Sequence, residues 1–322
     1  MLVATFAFAC GKFADVPTEF PTPELPPAAT PLPKLEVKRD AKLEKRIAAI
    51  AADAKGKVGV AAVVLETGEA AMVNADHQYP MQNVYKLPIS MAVMDMLCRE
   101  DRSLDEMTRV TREDMVRQGQ ASPLRDAHPD GGDFTIRELI RLALVESDGT
   151  ASDVLIRVAG GADKVQAYLT QIGIKDIKVV NTEKEIGRDW QTQYQNWATP
   201  VASIELLRWL NADAEGWRPL NLDQELKGSQ ILLQMMMQSN PGPKRIKGQL
   251  PLLGPFRVVA HKTGTGGSQN GVTSATNDIG FIYTENRRIA IAVFVSDSPA
   301  DEKTREAVIA KIAKAVWDTW SK

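Results

Sequence analysis

The sequence has little cysteine and little histidine: Cys10 and Cys98 are the only two of the first, and His77, His128 and His261 the only three of the second, in 322 residues. No C-x-x-C and no H-E-x-x-H spacing occurs, so the usual sequence signs of a metal or redox centre are missing, and no metal or other cofactor is expected. An excess of one charge is lacking too. Thirty-nine Lys and Arg stand against 41 Asp and Glu, a formal net charge of -2, which gives a polyanion no electrostatic footing and argues against a nucleic-acid partner. No apolar run approaches the ~18 residues of a membrane-spanning helix. What is present is 44% hydrophobic residues, enough for a sizeable packed core, in a length whose prior is about two domains.

The short apolar stretch Met1 to Ala9 (MLVATFAFA) runs into Cys10-Gly11 and looks like the end of a secretory leader with a lipoprotein-type cysteine, without a basic n-region. Pro17, Pro21, Pro23, Pro26, Pro27, Pro31 and Pro33 follow, a density that excludes a regular helix or central strand and favours an extended tether. Residues 1–37 are therefore expected to be a leader-like segment and tether, and the folded domain to occupy 38–322.

From Asp40, a good N-cap type, Leu43, Ile47, Ile50 and Ala54 repeat with the helical period. Val58 to Leu65 reads as a strand, Glu66-Thr67-Gly68-Glu69 as a turn, and Ala70 to Val73 as a second strand. A helix is expected to begin near Asn83 and to carry Leu87 to Leu97, with Pro88 tolerated only in its first turn. Thr135-x-x-Glu138 is a capping-box start. Further helical patterns run over Ala151 to Val158, Ala162 to Ile172, Pro200 to Leu210 and Leu222 to Met237, so the middle of the chain reads as helical except for the polar, irregular segment Lys178 to Ala198. A loop that long is usually functional or disordered. Strand character returns at Arg257 to Lys262, Ile279 to Thr284 and Ile289 to Val295, before a last helix from about Glu302 to Trp320. The simplest packing joins both ends in one antiparallel sheet, with the helical block beside it and a cleft between them as the expected place for a site. Cys98 on its apolar helix, Trp209 and Met235-Met236-Met237 are expected in the core.

Three short motifs carry chemistry. Asn83 and Lys86, three apart, share a helical face. Ser147-Asp148-Gly149 falls between two helical patterns, where the Asp can tie down backbone while a hydroxyl is presented to the cleft. Lys262-Thr263-Gly264-Thr265-Gly266 ends a strand, where glycine permits close approach and the Lys and hydroxyls can bind a carboxylate. Taken singly, these read as a solvated helix residue, a helix-linking turn and a strand end. His261, beside Lys262, reads as a strand residue rather than a catalyst.

In this order, however, they follow the set S-x-x-K, S-D-N, K-T-G of class A β-lactamases and penicillin-binding proteins. Tyr79-Pro80-Met81-Gln82-Asn83-Val84-Tyr85-Lys86-Leu87-Pro88 looks like the nucleophile helix of the class A enzymes. Gln193-Tyr194-Gln195-Asn196-Trp197-Ala198-Thr199-Pro200 resembles the end of the omega loop in their extended-spectrum cephalosporinase branch. On these motifs the chain is identified as a member of the class A serine β-lactamase family over about residues 40 to 320.

The resemblance implies an α/β (α+β) fold of the β-lactamase/transpeptidase type: an antiparallel five-stranded sheet flanked by helices, and an all-helical lobe. The α/β lobe would take about 38–80 and 250–322, the helical lobe about 81–249. It also implies roles. Lys86 matches the lysine that helps activate the nucleophile, Ser147 the hydroxyl that relays a proton to the leaving nitrogen, and Glu183, in competition with Glu185, the omega-loop base for the deacylating water. Lys262, Thr263, Gly264 and Thr265 match the carboxylate-binding strand, Arg245 a second carboxylate-binding arginine, and the backbone N–H groups of Asn83 and Thr265 the oxyanion hole. A small-molecule β-lactam partner, a monomer and export to the periplasm come with the family, and Cys10 would be a lipidated membrane tether.

The main departure is Asn83, which matches the acylating serine. A carboxamide nitrogen is delocalised into its carbonyl and has no accessible anion near pH 7, so it cannot replace the activated hydroxyl. Ser90, two turns further along the helix and so roughly 10 Å away, is no substitute. Gly149 stands where Asn is usual, and Gly187 where many members hold the deacylating water with a polar residue. The expectation is a β-lactam hydrolase strongly impaired at its nucleophile. The alternative is a pseudoenzyme that binds β-lactams or peptidoglycan-like ligands reversibly. A transpeptidase or carboxypeptidase is disfavoured by the Glu183 segment and also needs the missing serine.

Overall fold

The computed structural model describes residues 32–214, 228–251 and 259–321. The leader-like segment, Cys10 and the prolines up to Pro31 lie outside the described residues, as do residues 222–227 and 257–258 of two elements read from the sequence.

Asp40 caps the first helix, Ala41–Ala51, by accepting the Leu43 N–H at 2.9 Å, and satisfies one of the donors a helix start leaves without a partner. Strands from both ends of the chain form one sheet. Its order is Lys38–Arg39, Glu69–Val73, Lys57–Val64, Arg288–Ser298 and Val272–Tyr283, with Val259–Thr265 and Ser268–Gln269 both paired to Val272–Tyr283. The sheet has seven strands rather than the five implied by the resemblance. The two additions are two residues long. Lys38–Arg39 runs parallel to Glu69–Val73, a local exception to the antiparallel arrangement. Ser268–Gln269 returns to Val272 through Asn270-Gly271, with φ of 52° and 77°, the left-handed pair that a two-residue hairpin turn requires.

Side chains alternate across a strand, and the sheet uses both faces. Val60, Ala62 and Val64 pack with the first helix and the terminal helix Glu302–Trp320 through Leu43, Ile47, Ile309 and Val316. Ala61 and Val63 join Phe281, Ala290 and Phe294 against helical residues such as Leu87, Val93, Leu206 and Leu207. The main helices of the middle of the chain are Lys86–Arg99, Ile136–Arg141 continued by a wider turn Leu142–Glu146, Gly149–Val158, Ala162–Gln171, Pro200–Asp213 and Gly228–Met237. Thr135 and Glu138 form the predicted capping box. Pro88 falls in the first turn of its helix.

Three expectations need correction. The middle of the chain is not wholly helical: Met107–Val110 pairs with Gly132–Thr135, and Tyr79–Pro80, Trp197–Ala198 and Ile177–Lys178 form a small sheet. Pieces of two to four residues are too short to leave a period-two pattern. The segment read as irregular over 178–198 is ordered by a helical turn, Glu183–Ile186, and a tighter one, Thr192–Tyr194. Its neck is closed by Asn196, whose Oδ1 accepts the N–H groups of Val180 and Asn181 at 2.8 and 2.9 Å and whose amide donates to Asn181 O. Cys98 is exposed rather than buried, because it sits in the last turn of its helix, past the apolar stretch. Trp209 is half-buried against the core.

Candidate active site

Asn83 lies in a tight turn, Gln82–Tyr85, that leads straight into the helix Lys86–Arg99. Gln82 has a φ of 49°, a conformation that costs free energy for a non-glycine residue and is held by its surroundings. Its amide donates to Gln193 Oε1 at 2.9 Å, and Ser274 Oγ donates to the same oxygen at 2.6 Å. One turn of backbone beyond Asn83, Lys86 is buried with its ammonium on the carbonyl of Ser147 at 2.7 Å and 3.5 Å from Glu183 Oε2.

Ser147 is placed by the turn before it. The widened turn Leu142–Glu146 ends with Ser147 in the left-handed region at φ 62°. Asp148 then caps the next helix, with Oδ1 accepting Ala151 N–H at 2.8 Å and Oδ2 accepting Leu124 N–H at 2.6 Å. The Ser147 hydroxyl receives the Lys262 ammonium at 2.8 Å. One serine is thus held by two lysines, one on its carbonyl and one on its hydroxyl. Burial, and then the charge of Lys86, push the Lys262 ammonium well below the ordinary lysine range.

The strand Val259–Thr265 brings Lys262, Thr263, Gly264 and Thr265 to the turn at Asn83. A β-carbon on Gly264 would collide with Met81 O, so glycine is what allows the approach. Asn277 on the neighbouring strand fastens the same turn, its amide donating to Pro80 O at 2.7 Å and Met81 O at 3.2 Å. Arg245 is buried behind the strand end. Its guanidinium donates to Thr265 Oγ1 at 2.8 Å, Gly264 O at 3.2 Å and Asn277 O at 3.1 Å, and pairs with Glu306 at 3.2 Å. His261 is buried in the strand on Asp278, at 2.9 Å, and Asp278 Oδ2 also accepts Ile246 N–H, which fixes the backbone next to Arg245.

Glu183 and Glu185 sit in one helical turn with different partners. Glu185 closes a capping box with Thr182. Glu183 Oε2 instead faces Lys86 and accepts the Tyr85 hydroxyl at 2.9 Å. The Glu183 backbone is fixed from two sides: Asp153 accepts the N–H groups of Glu183 and Lys184 at 2.6 and 3.1 Å, and Gln120 donates to Glu183 O. Desolvation pushes the Asp153 carboxyl up to about 7. Gly149 and Gly187, the two departures, both lie against these groups. A β-carbon at 149 would stand 2.8 Å from Glu183 Cγ and 3.1 Å from Ala121 O, and one at 187 would meet Gln120 Nε2 at 2.5 Å. Glu183 and Gln120 fill the room that side chains at those positions would need.

Tyr85, Gln120, Asp153, Gln82 and Asn277 were not singled out from the sequence. Tyr85 had a readable signal, a polar-tipped ring next to Lys86 inside the motif; the others come near the site only through the fold. Among the described residues no group of His, Cys, Asp and Glu could hold a metal ion, and no helix is long and apolar enough to cross a membrane.

Chemically, the cleft has a strand end rich in positive charge that suits a carboxylate, an ammonium and a carboxylate that can move a proton, and an amide where the reacting group would stand. A serine held between two lysines beside a K-T-G strand end is the arrangement shared by class A β-lactamases and penicillin-binding proteins, and a carboxylate delivered by a long loop is what the class A enzymes add to it.

Comparison with known proteins narrows this. Residues 42–320 match the family model described as the Beta-lactamase enzyme family. The chain is 34% identical to Beta-lactamase VEB-1 of Pseudomonas aeruginosa over 263 residues, 81% of this chain and 85% of that one. It is 32% identical to the extended-spectrum β-lactamase PER-1 of the same organism over 277 residues, 85% and 86% of the two chains. The crystal structure of TLA-3 extended-spectrum β-lactamase superposes with a TM-score of 0.80 at 37% identity, covering 87% of this chain and 99% of that one. The chain belongs to the class A β-lactamase family.

Proposed function

We propose that this chain recognises β-lactams in the class A manner but has its covalent route closed at Asn83, so that hydrolysis is strongly impaired. The observation that carries the reading is the convergence of Lys86 and Lys262 on Ser147, at 2.7 and 2.8 Å, beside a turn that offers a carboxamide instead of a hydroxyl. In this reading the ligand carboxylate docks on Lys262, Thr263 and Thr265, with Arg245 behind them as the second cation. The lactam carbonyl faces the backbone N–H groups of Asn83 and Thr265, donors that a side-chain change leaves in place. Lys86 and Ser147 remain able to pass a proton towards the lactam nitrogen, and Glu183 to direct a water. The missing step is attack, because no atom of Asn83 offers a usable lone pair at neutral pH. Removing the nucleophile of a serine protease costs roughly 2 × 10⁶ in kcat yet leaves ~10³–10⁴-fold over water, and a residue of non-covalent hydrolysis of that order is expected here.

The alternative, which the carboxamide at position 83 also allows, is reversible capture of β-lactams or peptidoglycan-like ligands in the same cleft as the biological task. Hydrolysis of a chromogenic cephalosporin by this chain and by its Asn83→Ser variant, with calorimetric titration of the unchanged chain, separates the readings. Turnover gained only by the variant, with binding already present, supports the proposal; no binding and no turnover by either overturns it.

Export to the periplasm and lipidation of Cys10 belong to the same proposal, supported by the leader-like Met1 to Cys10 stretch and the prolines after it, and action as a monomer belongs to it by family resemblance alone. Cell fractionation, with a Cys10→Ser variant that should lose membrane association, tests the first two, and sedimentation of the purified chain tests the third. The division into an α/β lobe over about 38–80 and 250–322 and a helical lobe over about 81–249 is proposed on the sheet's construction from both chain ends.

A further inference from the structure

We infer that Tyr85 is a positioning residue for Glu183: its hydroxyl clamps one carboxylate oxygen against the floor of the cleft, in room left by Gly149, and so decides which oxygen is offered to a bound water. The inference rests on the reading of Glu183 as the water-directing base.

Four observations carry it. Tyr85 is fully buried, so its ring has no freedom to swing its hydroxyl elsewhere. That hydroxyl is shared between two partners, Glu183 Oε2 at 2.9 Å and Ser152 Oγ at 3.1 Å. Lys86 approaches the same oxygen, Oε2, at 3.5 Å, so both neighbours converge on one side of the carboxylate. Finally, Glu183 Cγ would lie only 2.8 Å from a β-carbon at position 149; the clamped conformation exists because residue 149 has no side chain. Burial, and the nearby Glu183 and Asp153 charges after it, hold the phenol well above its ordinary range, so the proton that makes the clamp stays on Tyr85 at working pH.

The chemistry follows from the geometry. A carboxylate that acts on a water must present a free oxygen in a fixed place. Tyr85 and Lys86 occupy Oε2. That leaves Oε1 as the oxygen to act on a water. Loss of the phenol oxygen alone leaves the buried ring and its packing in place while it frees the carboxylate to rotate.

Tyr85→Phe is the test, read in two ways. In crystals of the otherwise unchanged chain, the Glu183 carboxylate should leave its place beside Gly149 or divide between two rotamers; a carboxylate that keeps its single position without the phenol oxygen overturns the inference. In the Asn83→Ser background, intact-mass measurements should show acylation by a cephalosporin at an unchanged rate and loss of the acyl group about tenfold slower. That split is one that a general loss of stability would not produce. Deacylation that is unchanged, or slowed no more than acylation, overturns it. If the Asn83→Ser variant takes up no acyl group in either background, the proposed function fails, while the crystals still decide the role of Tyr85.

Discussion

The two walls of the cleft are built differently. The strand wall, with Lys262, Thr263 and Thr265 and with Arg245 behind them, keeps the family pattern in the proposed reading and stands on a strand paired along its length to Val272–Tyr283. The opposite wall, with Asn83, Gly149 and Gly187, departs from that pattern three times in the same reading and is assembled from a tight turn, a helix start and a long loop. Recognition of an anion needs positive groups held in a cleft, and many arrangements supply it. Nucleophilic attack needs one atom with one lone pair. A single change can therefore disable the second wall and leave the first intact, and the further changes around Glu183 fit one another sterically rather than follow the family pattern.

The largest effect expected is on that second wall. Asn83→Ser should raise cephalosporin turnover by at least ~10³-fold, on the scale seen when a nucleophile is lost, as measured by initial rates; equal rates would mean that the chemistry does not pass through position 83. Next comes pH. With its folded value at about 7 against an ordinary 3.8, Asp153 binds its proton more tightly in the folded chain. Its contribution to stability is full below about pH 4 and is lost as pH rises through about 7, roughly 4 kcal/mol across the window. Thermal unfolding at pH 4 and pH 8 should show that loss in the unchanged chain and a flatter profile in Asp153→Asn.

On the strand wall, Lys262→Met should weaken β-lactam binding by about 2–3 kcal/mol, the value of a charge-assisted bond, whereas Glu183→Gln should change it less than about threefold. Calorimetry that found the two equal would dissolve the distinction between the walls. Gly149→Ala should destabilise the fold by about 1–3 kcal/mol through overpacking, since its β-carbon meets both Glu183 Cγ and Ala121 O; denaturant unfolding measures it. The smallest effect concerns the outer anchor of the loop that carries Glu183. Tyr194→Phe removes a 2.7 Å bond to Asp297 and should cost about 1 kcal/mol in the same assay.

What could be read from the sequence followed from local rules. Asp40, the Thr135-x-x-Glu138 box and Pro88 fix helix starts within a few residues, and the structure places each where the rule puts it. Lys86, Ser147, Glu183, Lys262 and Thr265, named from motif order, come together in one cleft. The residues that went unread act at long range. Gln120 reaches Glu183 across 63 positions and Asn277 reaches Pro80 across 197, and a side-chain amide carries no mark of its partner. Asn270-Gly271 shows the opposite case, a two-residue hairpin signal that was legible but sat in a short strand pair that the alternation pattern could not reveal.

The sheet order also governs how the chain comes to be folded. Lys57 and Asp297, which form an ion pair at 2.9 Å, are 240 positions apart, and Lys57–Val64 has as its long neighbour a strand near the end of the chain. Such a topology folds slowly, because the loop must close before its contacts reward it. During synthesis the strand Lys57–Val64 waits with one edge unsatisfied until Arg288–Ser298 has been made. A truncated chain ending before that point would present this edge to other molecules as a template for aggregation.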